Sequence, residues 1–400
     1  MQPRLYLYVK AFSDLGTMME MIVLTAMVLG QTHSVIWVSA NLGALTLGGL
    51  LSSLSSGGLA DRLDRRKLMM FADWVRAACV LLPAAYPKAQ LIVMVSFLIG
   101  FFNTYFSVSF SASVPVIFGA DRALETNALI SRLGAISMVT GFLLAGGLSR
   151  GLGYSAVLMI DSLTYITSAV TLMTMRWTSP ANGPGQAPYR RLRLSTDVRE
   201  VMRYLRTRPA MLILFCVYLI ETFGASSHNL GIPLLARQLN PTNQPLVYGL
   251  IWGTWGVGNV FATAWLPKLR HRIRRVYVVY GLSAAATSLG FICVLSADQL
   301  RVVLPLALLT GIFDAVTGTL YAVIVQSCDD FIRGRVMGIS SLANRFGFGT
   351  GFIVAPMVLA SSSLPIMVRW FHGTAILATL LAVLFWTVRA KDNVQVAGAG

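Results

Sequence analysis

Apolar runs of about 20 residues recur along the whole chain, separated by short polar breaks. Each run is long enough to cross a hydrocarbon core roughly 30 Å thick. The pattern predicts about twelve spans, near residues 6–30, 34–59, 68–86, 91–118, 128–148, 154–177, 210–235, 246–266, 276–296, 302–327, 336–360 and 364–388. The longest polar interruption, residues 178–208, falls between the sixth and seventh spans. Its first part, Thr178–Pro188, is rich in Pro and Gly and is expected to be flexible. Its second part, Asp197–Arg206, carries Val198, Val201, Met202 and Leu205 at helical spacing, with Asp197 and Glu200 at the start and Arg199, Arg203, Arg206 and Arg208 on the other side. A short amphipathic helix lying on the cytoplasmic membrane surface is expected there. The domain reading is therefore a six-helix bundle over 1–177, a cytoplasmic linker over 178–208 and a second six-helix bundle over 209–400.

The halves look like repeats. Arg132-Leu-Gly in the fifth span parallels Arg345-Phe-Gly in the eleventh, and Asp14 in the first span parallels Glu221 in the seventh. The loop Pro267–Arg275 follows the eighth span as Gly57–Lys67 follows the second, keeping the basic charge without the Gly and Asp pair.

Composition agrees with a membrane protein. The 400 residues are 56% hydrophobic and 12% charged, where a soluble protein carries roughly 25% charged residues. The net charge of +16 does not point to nucleic acid, because the basic residues sit in short clusters between apolar runs. Those clusters fall in alternate loops, which places both termini in the cytoplasm. No cleavable-signal pattern precedes Tyr6. Cys79, Cys216, Cys293 and Cys328 read as small packing residues, and His33, His228, His271 and His372 show no metal spacing. No nucleophile elbow, phosphate loop or zinc motif appears, so neither an enzyme nor a cofactor or metal is expected.

The segment GGLADRLDRRK, Gly57–Lys67, is a charged hairpin between two apolar spans, so it must face water. Gly57 and Gly58 permit close helix approach, and Asp61 is placed to face the positive end of a neighbouring helix. This segment resembles the inter-helix signature of the major facilitator superfamily, and the resemblance covers nearly the whole chain. Three features resemble the branch that includes the enterobactin exporter and the macrolide efflux proteins: GGLADRLDRRKLM, the connection IRGRVMGISSLANRFG, and the basic helix before the seventh span. The resemblance implies an all-α membrane fold of two pseudo-symmetric six-helix bundles around one central cavity, with alternating access. It also implies proton-exchange export from a bacterial cytoplasmic (inner) membrane. Gly58, Asp61, Arg62, Asp64, Arg65 and Arg66, with Arg132 and Arg345, are then expected to form a cytoplasmic gate. Two departures touch the antiport assignment alone: Phe97–Phe118 contains no basic residue, and Gly141–Gly147 lacks the proline of the exporter signature.

Charged side chains inside spans cost about 2.5–3.5 kcal/mol at the bilayer centre by insertion scales, so they mark candidate chemistry. Asp14, Glu20, Glu221 and Asp314 are the candidate proton-coupling and cavity carboxyls, with Asp14 and Glu221 first. Asp73 and Arg76, three residues apart, are expected to pair locally. Asp161 is expected near water at the outer end of the sixth span. Asn103, Tyr105 and Phe106 in the fourth span, and Trp252 and Trp255 in the eighth, are candidate cavity-lining residues. The expected partners are a small organic substrate (a siderophore or a drug-like amphiphile), protons and the lipid bilayer, with the chain acting as a monomer. A lipid or lysolipid flippase, and a membrane sensor or scaffold that does not transport, are the competing readings.

Overall fold

The computed structural model describes residues 3–118, 123–175, 194–269 and 275–388. It is built from helices: α1 (Pro3–Thr32), α2 (Val35–Arg62), α3 (Arg65–Ala85), α4 (Ala89–Phe118), α5 (Ala123–Thr174), α6 (Leu194–Arg206), α7 (Pro209–Leu239), α8 (Gln244–Leu269), α9 (Val276–Ser296), α10 (Leu300–Gln326), α11 (Asp330–Ser361) and α12 (Leu364–Val388). In hydrocarbon every backbone N–H and C=O needs a partner, and a helix supplies them all from within one segment. Among the described residues, ten helices are long and apolar enough to cross a membrane. One of them, α5, runs for 52 residues, about 78 Å at helical rise, and so makes two crossings. Its break is at Gly153, whose φ of 81° is open to glycine and strained for other residues. With the Gly- and Trp-rich α8 as the remaining crossing, the architecture is the all-α, twelve-span one expected.

The chain groups into two compact units. The first holds α1–α5 and the start of α8, Asn240–Gly253; the second holds α6, α7, α8 from Thr254 onward, and α9–α12. Within the first unit α1 packs on α5, α2 on α4, and α3 on both α4 and α5. Within the second, α7 packs on α11 and α12, and α9 on α10 and α12. A Cβ on Gly48 would collide with the Phe97 carbonyl, and one on Gly100 with the Leu45 carbonyl, so α2 and α4 cross backbone against backbone. The same reciprocal crossing recurs between α8 and α10, where Gly258 faces the Leu308 carbonyl and Gly311 the Trp255 carbonyl. Small residues at a crossing let apolar helices gain dispersion contact that lipid would otherwise provide. The repeated glycine pair is independent of the Asp, Glu and Arg parallels in the sequence and supports the two-repeat reading.

Large apolar side chains such as Met357 (67% exposed), Trp370 (68%) and Leu384 (62%) lie uncovered on the helix surfaces. Their exposure suits a lipid surround and would be costly in water.

The linker helix α6 corrects one expectation. Its apolar stripe is divided, with Met202 exposed at 39% and the other side turned to protein. Val201 and Leu205 are buried at 1% and 2% exposure in a core shared with Met211, Leu214, Tyr280, Ile324 and Trp386. Glu200 pairs with Arg335 at the start of α11, the backbone N–H of Asp329 donates to the Tyr204 hydroxyl at 3.2 Å, and Arg208 binds both carboxylate oxygens of Asp329 at 2.9 and 3.0 Å. The i, i+4 apolar pair therefore docks on protein, leaving Arg199, Arg203 and Arg206 on the exposed side. Residues 178–188, expected to be flexible, lie outside the described residues.

The crossings give a direct test. Gly258→Ala places a methyl against a backbone carbonyl and is expected to cost about 1–3 kcal/mol, the range for overpacking. Gly373→Ala in α12 meets open space and should be neutral or slightly stabilising. Thermal unfolding of both variants in detergent or nanodiscs measures the difference; equal midpoints would remove the close crossing from the packing of α8 and α10.

Candidate functional site

In the first unit α1, α3, α4 and α5 bring ionisable groups into one buried cluster. Glu20, Asp73, Arg76 and Asp161 are all at most 3% exposed. Arg76 pairs with Asp73, as the i, i+3 spacing predicts, and also donates to Asn103 Oδ1 at 3.0 Å. Its guanidinium lies 4.3 Å from the Tyr165 ring centroid and 4.8 Å from that of Phe106, a favourable placement over ring faces. The Tyr165 hydroxyl meets Glu20 Oε2 at 3.0 Å and Thr17 Oγ1 at 2.8 Å. Asp161 and Glu20 present their carboxyls to one another. Thr164 donates to Asp161 Oδ1 at 3.3 Å, and Oδ2 has no hydrogen-bond donor among the described residues. Gly16 makes the approach of α1 to α5 possible, since a Cβ there would collide with the Asp161 carboxyl.

Two expectations change here. Asp161 is not near water; it is fully buried and faces Glu20, because α1 packs over it at Gly16. Asp14 is not an isolated buried carboxyl equivalent to Glu221. Lys10, one turn away on the same helix face, pairs with it at 2.5 Å, and 34% of its side chain is exposed.

In the second unit Glu221 and Asp314 line a cavity of about 300 Å³ formed by α7, α9, α10, α11 and α12. The Tyr280 hydroxyl donates to Glu221 Oε2 at 2.7 Å. Glu221 Oε1 has no hydrogen-bond partner among the described residues, and the nearby Thr379 hydroxyl is committed to the Ala375 carbonyl at 2.6 Å. Two histidines meet at this cavity, His228 Nδ1 lying 3.1 Å from His372 Nε2. His228 stacks on Phe291 at 3.6 Å between centroids. His372 is 3% exposed and its Nδ1 has no partner among the described residues. The two are 144 positions apart, so no spacing rule joins them; the available signal was only that each lies in an apolar span. A second cavity of about 350 Å³, reaching Gln326 and Met337, shares Tyr218, Tyr321 and Asn344 with the first. Tyr218 and Tyr321 stack at 3.9 Å in that shared wall.

Three of the aromatic candidates, Tyr105, Phe106 and Trp252, are packed among neighbouring side chains, and Trp255 is half-buried. Phe106 is packed in a core with Tyr6, Met69, Phe110 and Leu172, so it is not available to line a cavity. Tyr105 is buried against Phe101 and Phe102. Trp252 is buried and lies 5.9 Å from Phe142, and Trp255 supplies the carbonyl that Gly311 meets. Asn103 binds Arg76 as above.

The side chains of Gly58, Asp61 and Arg62 lie outside the described residues. Asp64 is the N-cap of α3 and accepts from the Arg66 backbone N–H at 2.9 Å, a standard use of Asp at that position. Arg65 donates to the Ala112 carbonyl at 2.9 Å. Arg66 donates to the Leu172 and Met173 carbonyls at 2.8 and 2.7 Å, capping the carbonyl end of α5. The two arginines tie the α2–α3 connection to α4 and α5 of their own unit. Arg132 is exposed and Arg345 half-buried.

A family model described as Major Facilitator Superfamily matches residues 8–328. No curated protein sequence matches the chain. Among solved structures, the nucleoside transporter NupG aligns with a TM-score of 0.75 at 14% identity, covering 97% of this chain and 99% of that one. An auto-inhibited POT family peptide transporter aligns at 0.73 with 15% identity, covering 97% of both chains. A POT family transporter in complex with a thioalcohol-conjugated peptide aligns at 0.74 with 9% identity, covering 96% of both. At these identities the likeness is one of fold. The family match spans most of the chain, and the chain belongs to the Major Facilitator Superfamily of membrane transporters.

Proposed function

We propose that this transporter is a proton-coupled secondary exporter of a small organic molecule, a drug-like amphiphile or a siderophore, working by alternating access. The observation that carries proton coupling is the charge balance of the first unit. Lys10 answers Asp14 and Arg76 answers Asp73. Glu20 and Asp161 face each other and share only the reach of the Arg76 charge, so one guanidinium stands among three carboxyls in this cluster of described residues. Two carboxylates that share a buried site cannot both be ionised at acceptable cost. A proton held between them satisfies the open oxygen of Asp161 and removes the repulsion. Such a pair takes up a proton on one side of the membrane and releases it on the other when water reaches it. Glu221, which accepts from the Tyr280 hydroxyl and has no cation in its described cavity lining, is the corresponding group of the second unit. Asp14, already ion-paired, is the weakest of the four sequence candidates.

Export rather than uptake rests on the likeness of the Gly57–Lys67 and Ile332–Gly347 segments to the exporter branch. The basic loops support cytoplasmic termini in a bacterial inner membrane, and a single chain suffices for the mechanism. Under this reading the helix α6 is a docked joint and not a transport element.

Glu20→Gln and Asp161→Asn should each fold normally, since an amide matches a protonated carboxyl in shape. Each should lower pH-gradient-driven accumulation at least tenfold in proteoliposomes while leaving substrate counterflow in place. The measurement is transport of one substrate found in a panel of siderophores, amphiphilic drugs and lysolipids. Full gradient-driven accumulation in both variants would remove the pair from coupling, and movement that ignores the pH gradient in the wild type would refute proton coupling itself. Arg76→Gln, by contrast, leaves Asp73 as a buried unpaired charge and should destabilise the protein by about 3–5 kcal/mol. Adding Asp73→Asn should restore most of that loss, as read by thermal unfolding of the single and double variants.

A further inference from the structure

The cavity of the second unit is built for a ligand with a cationic nitrogen and a flat apolar body. It carries two carboxyls, Glu221 and Asp314, and no lysine or arginine among its described lining residues. Its walls are aromatic, with Tyr218, Tyr280, Tyr321 and Phe291 all bordering the space. Two buried polar atoms at the cavity, Glu221 Oε1 and His372 Nδ1, have no hydrogen-bond partner among the described residues. An orphaned acceptor of this kind costs about 1–3 kcal/mol, and more when charged, so its persistence at a cavity wall marks a place where another molecule's donor belongs. From these observations we propose that this cavity binds small protonated aromatic amines, with the ammonium against Glu221 and Asp314 and the ring among the tyrosines and Phe291.

The groups that face Glu221 set how this binding depends on protons. They are Tyr218 on its own helix, Tyr280 on α9, Asp314 and Tyr321 on α10, and on α12 the Thr379 hydroxyl. The histidine pair lies further along the same cavity. Only carboxyls among these offer a full negative charge to an ammonium; with no lysine or arginine in the described lining, a buried carboxyl favours its protonated form in the empty cavity, so the ammonium displaces a proton. A ring face adjacent to an ammonium adds roughly 0.5–2 kcal/mol of cation–π attraction. The size also selects. At about 300 Å³ the cavity is at the lower end of ligand pockets, which run from about 300 to 1,000 Å³. It suits a molecule of one or two rings, which favours the drug-like amphiphile over the siderophore in the reading above. The adjoining 350 Å³ cavity beyond the Tyr218–Tyr321 stack gives the ligand a path towards the junction of α10 and α11.

This proposal rests on the transport reading above and names the substrate class for it. The test is equilibrium binding to purified full-length protein in nanodiscs, by calorimetry in two buffers of different ionisation enthalpy. The probes are phenethylammonium, its neutral analogue phenethyl alcohol and the anionic 3-phenylpropanoate. The wild type should bind the amine at least tenfold more tightly than the alcohol, should not bind the anion, and should release close to one proton per amine bound. Glu221→Gln should lose at least tenfold in amine affinity and the proton release, with alcohol binding unchanged. Asp314→Asn, on the opposite wall, should lose several-fold and gives the same comparison if Glu221→Gln fails to fold. Equal affinity for amine and alcohol, or unaltered amine binding in the folded variants, would overturn the proposal. Because no gradient is present, loss of this site leaves proton-coupled transport of another substrate standing. Conversely, amine binding without gradient-driven movement upholds the site and sinks the transport reading.

Discussion

A negative charge placed in hydrocarbon has to be matched by a cation, by a proton or by water. That constraint orders the functional groups of this protein. Asp14 and Asp73 meet it locally, through Lys10 and Arg76 on their own helices. Glu20 and Asp161 meet it across two helices and without a cation of their own. Glu221 and Asp314 meet it at the wall of a cavity. The first kind of matching is fixed and structural. In the proposed function the other two change with what is bound, and a transporter needs such groups to make its conformational equilibrium depend on its ligands.

The scaffold that holds these groups is repeated. In each unit a pair of helices crosses at reciprocal glycines, Gly48 with Gly100 and Gly258 with Gly311. The carboxyls, however, are not arranged alike in the two units. Glu20 takes its hydroxyl from Tyr165 on α5 and faces a second carboxyl; Glu221 takes its hydroxyl from Tyr280 on α9 and faces open space. The repeated backbone thus carries two different carboxyl sites, which under the proposed function serve a proton in the first unit and a proton or a small cation in the second. Around them, Arg65 and Arg66 cap carbonyls of α4 and α5 in the first unit, and α6 is clamped to the start of α11 in the second.

The spans, the membrane class and the superfamily were legible because lipid imposes long apolar runs and because the Gly57–Lys67 segment is distinctive. The carboxyls Glu20, Glu221 and Asp314 were legible as charges inside such runs. Their partners were not. Asp161 was placed near water because distance from the predicted span end was the only guide, whereas the packing of α1 at Gly16 is what buries it. Asp14 was ranked first from the repeat offset, yet Lys10 lies one turn away on the same face. The histidine pair, the Tyr165 and Tyr280 hydroxyls and the packing of Phe106 all depend on which helices touch, which a single sequence does not carry. The amphipathic stripe of α6 was correctly located, but an apolar stripe alone does not distinguish lipid from a protein groove.

The central claim is that Glu20 and Asp161 hold a proton between them. Infrared spectroscopy of the protein in lipid at neutral pH reads it through the C=O stretch of protonated carboxyls, compared among the wild type, Glu20→Gln and Asp161→Asn. A protonated-carboxyl band in the wild type that is lost in either variant is the predicted result. A wild-type spectrum that neither variant alters would show both groups ionised and would contradict the account.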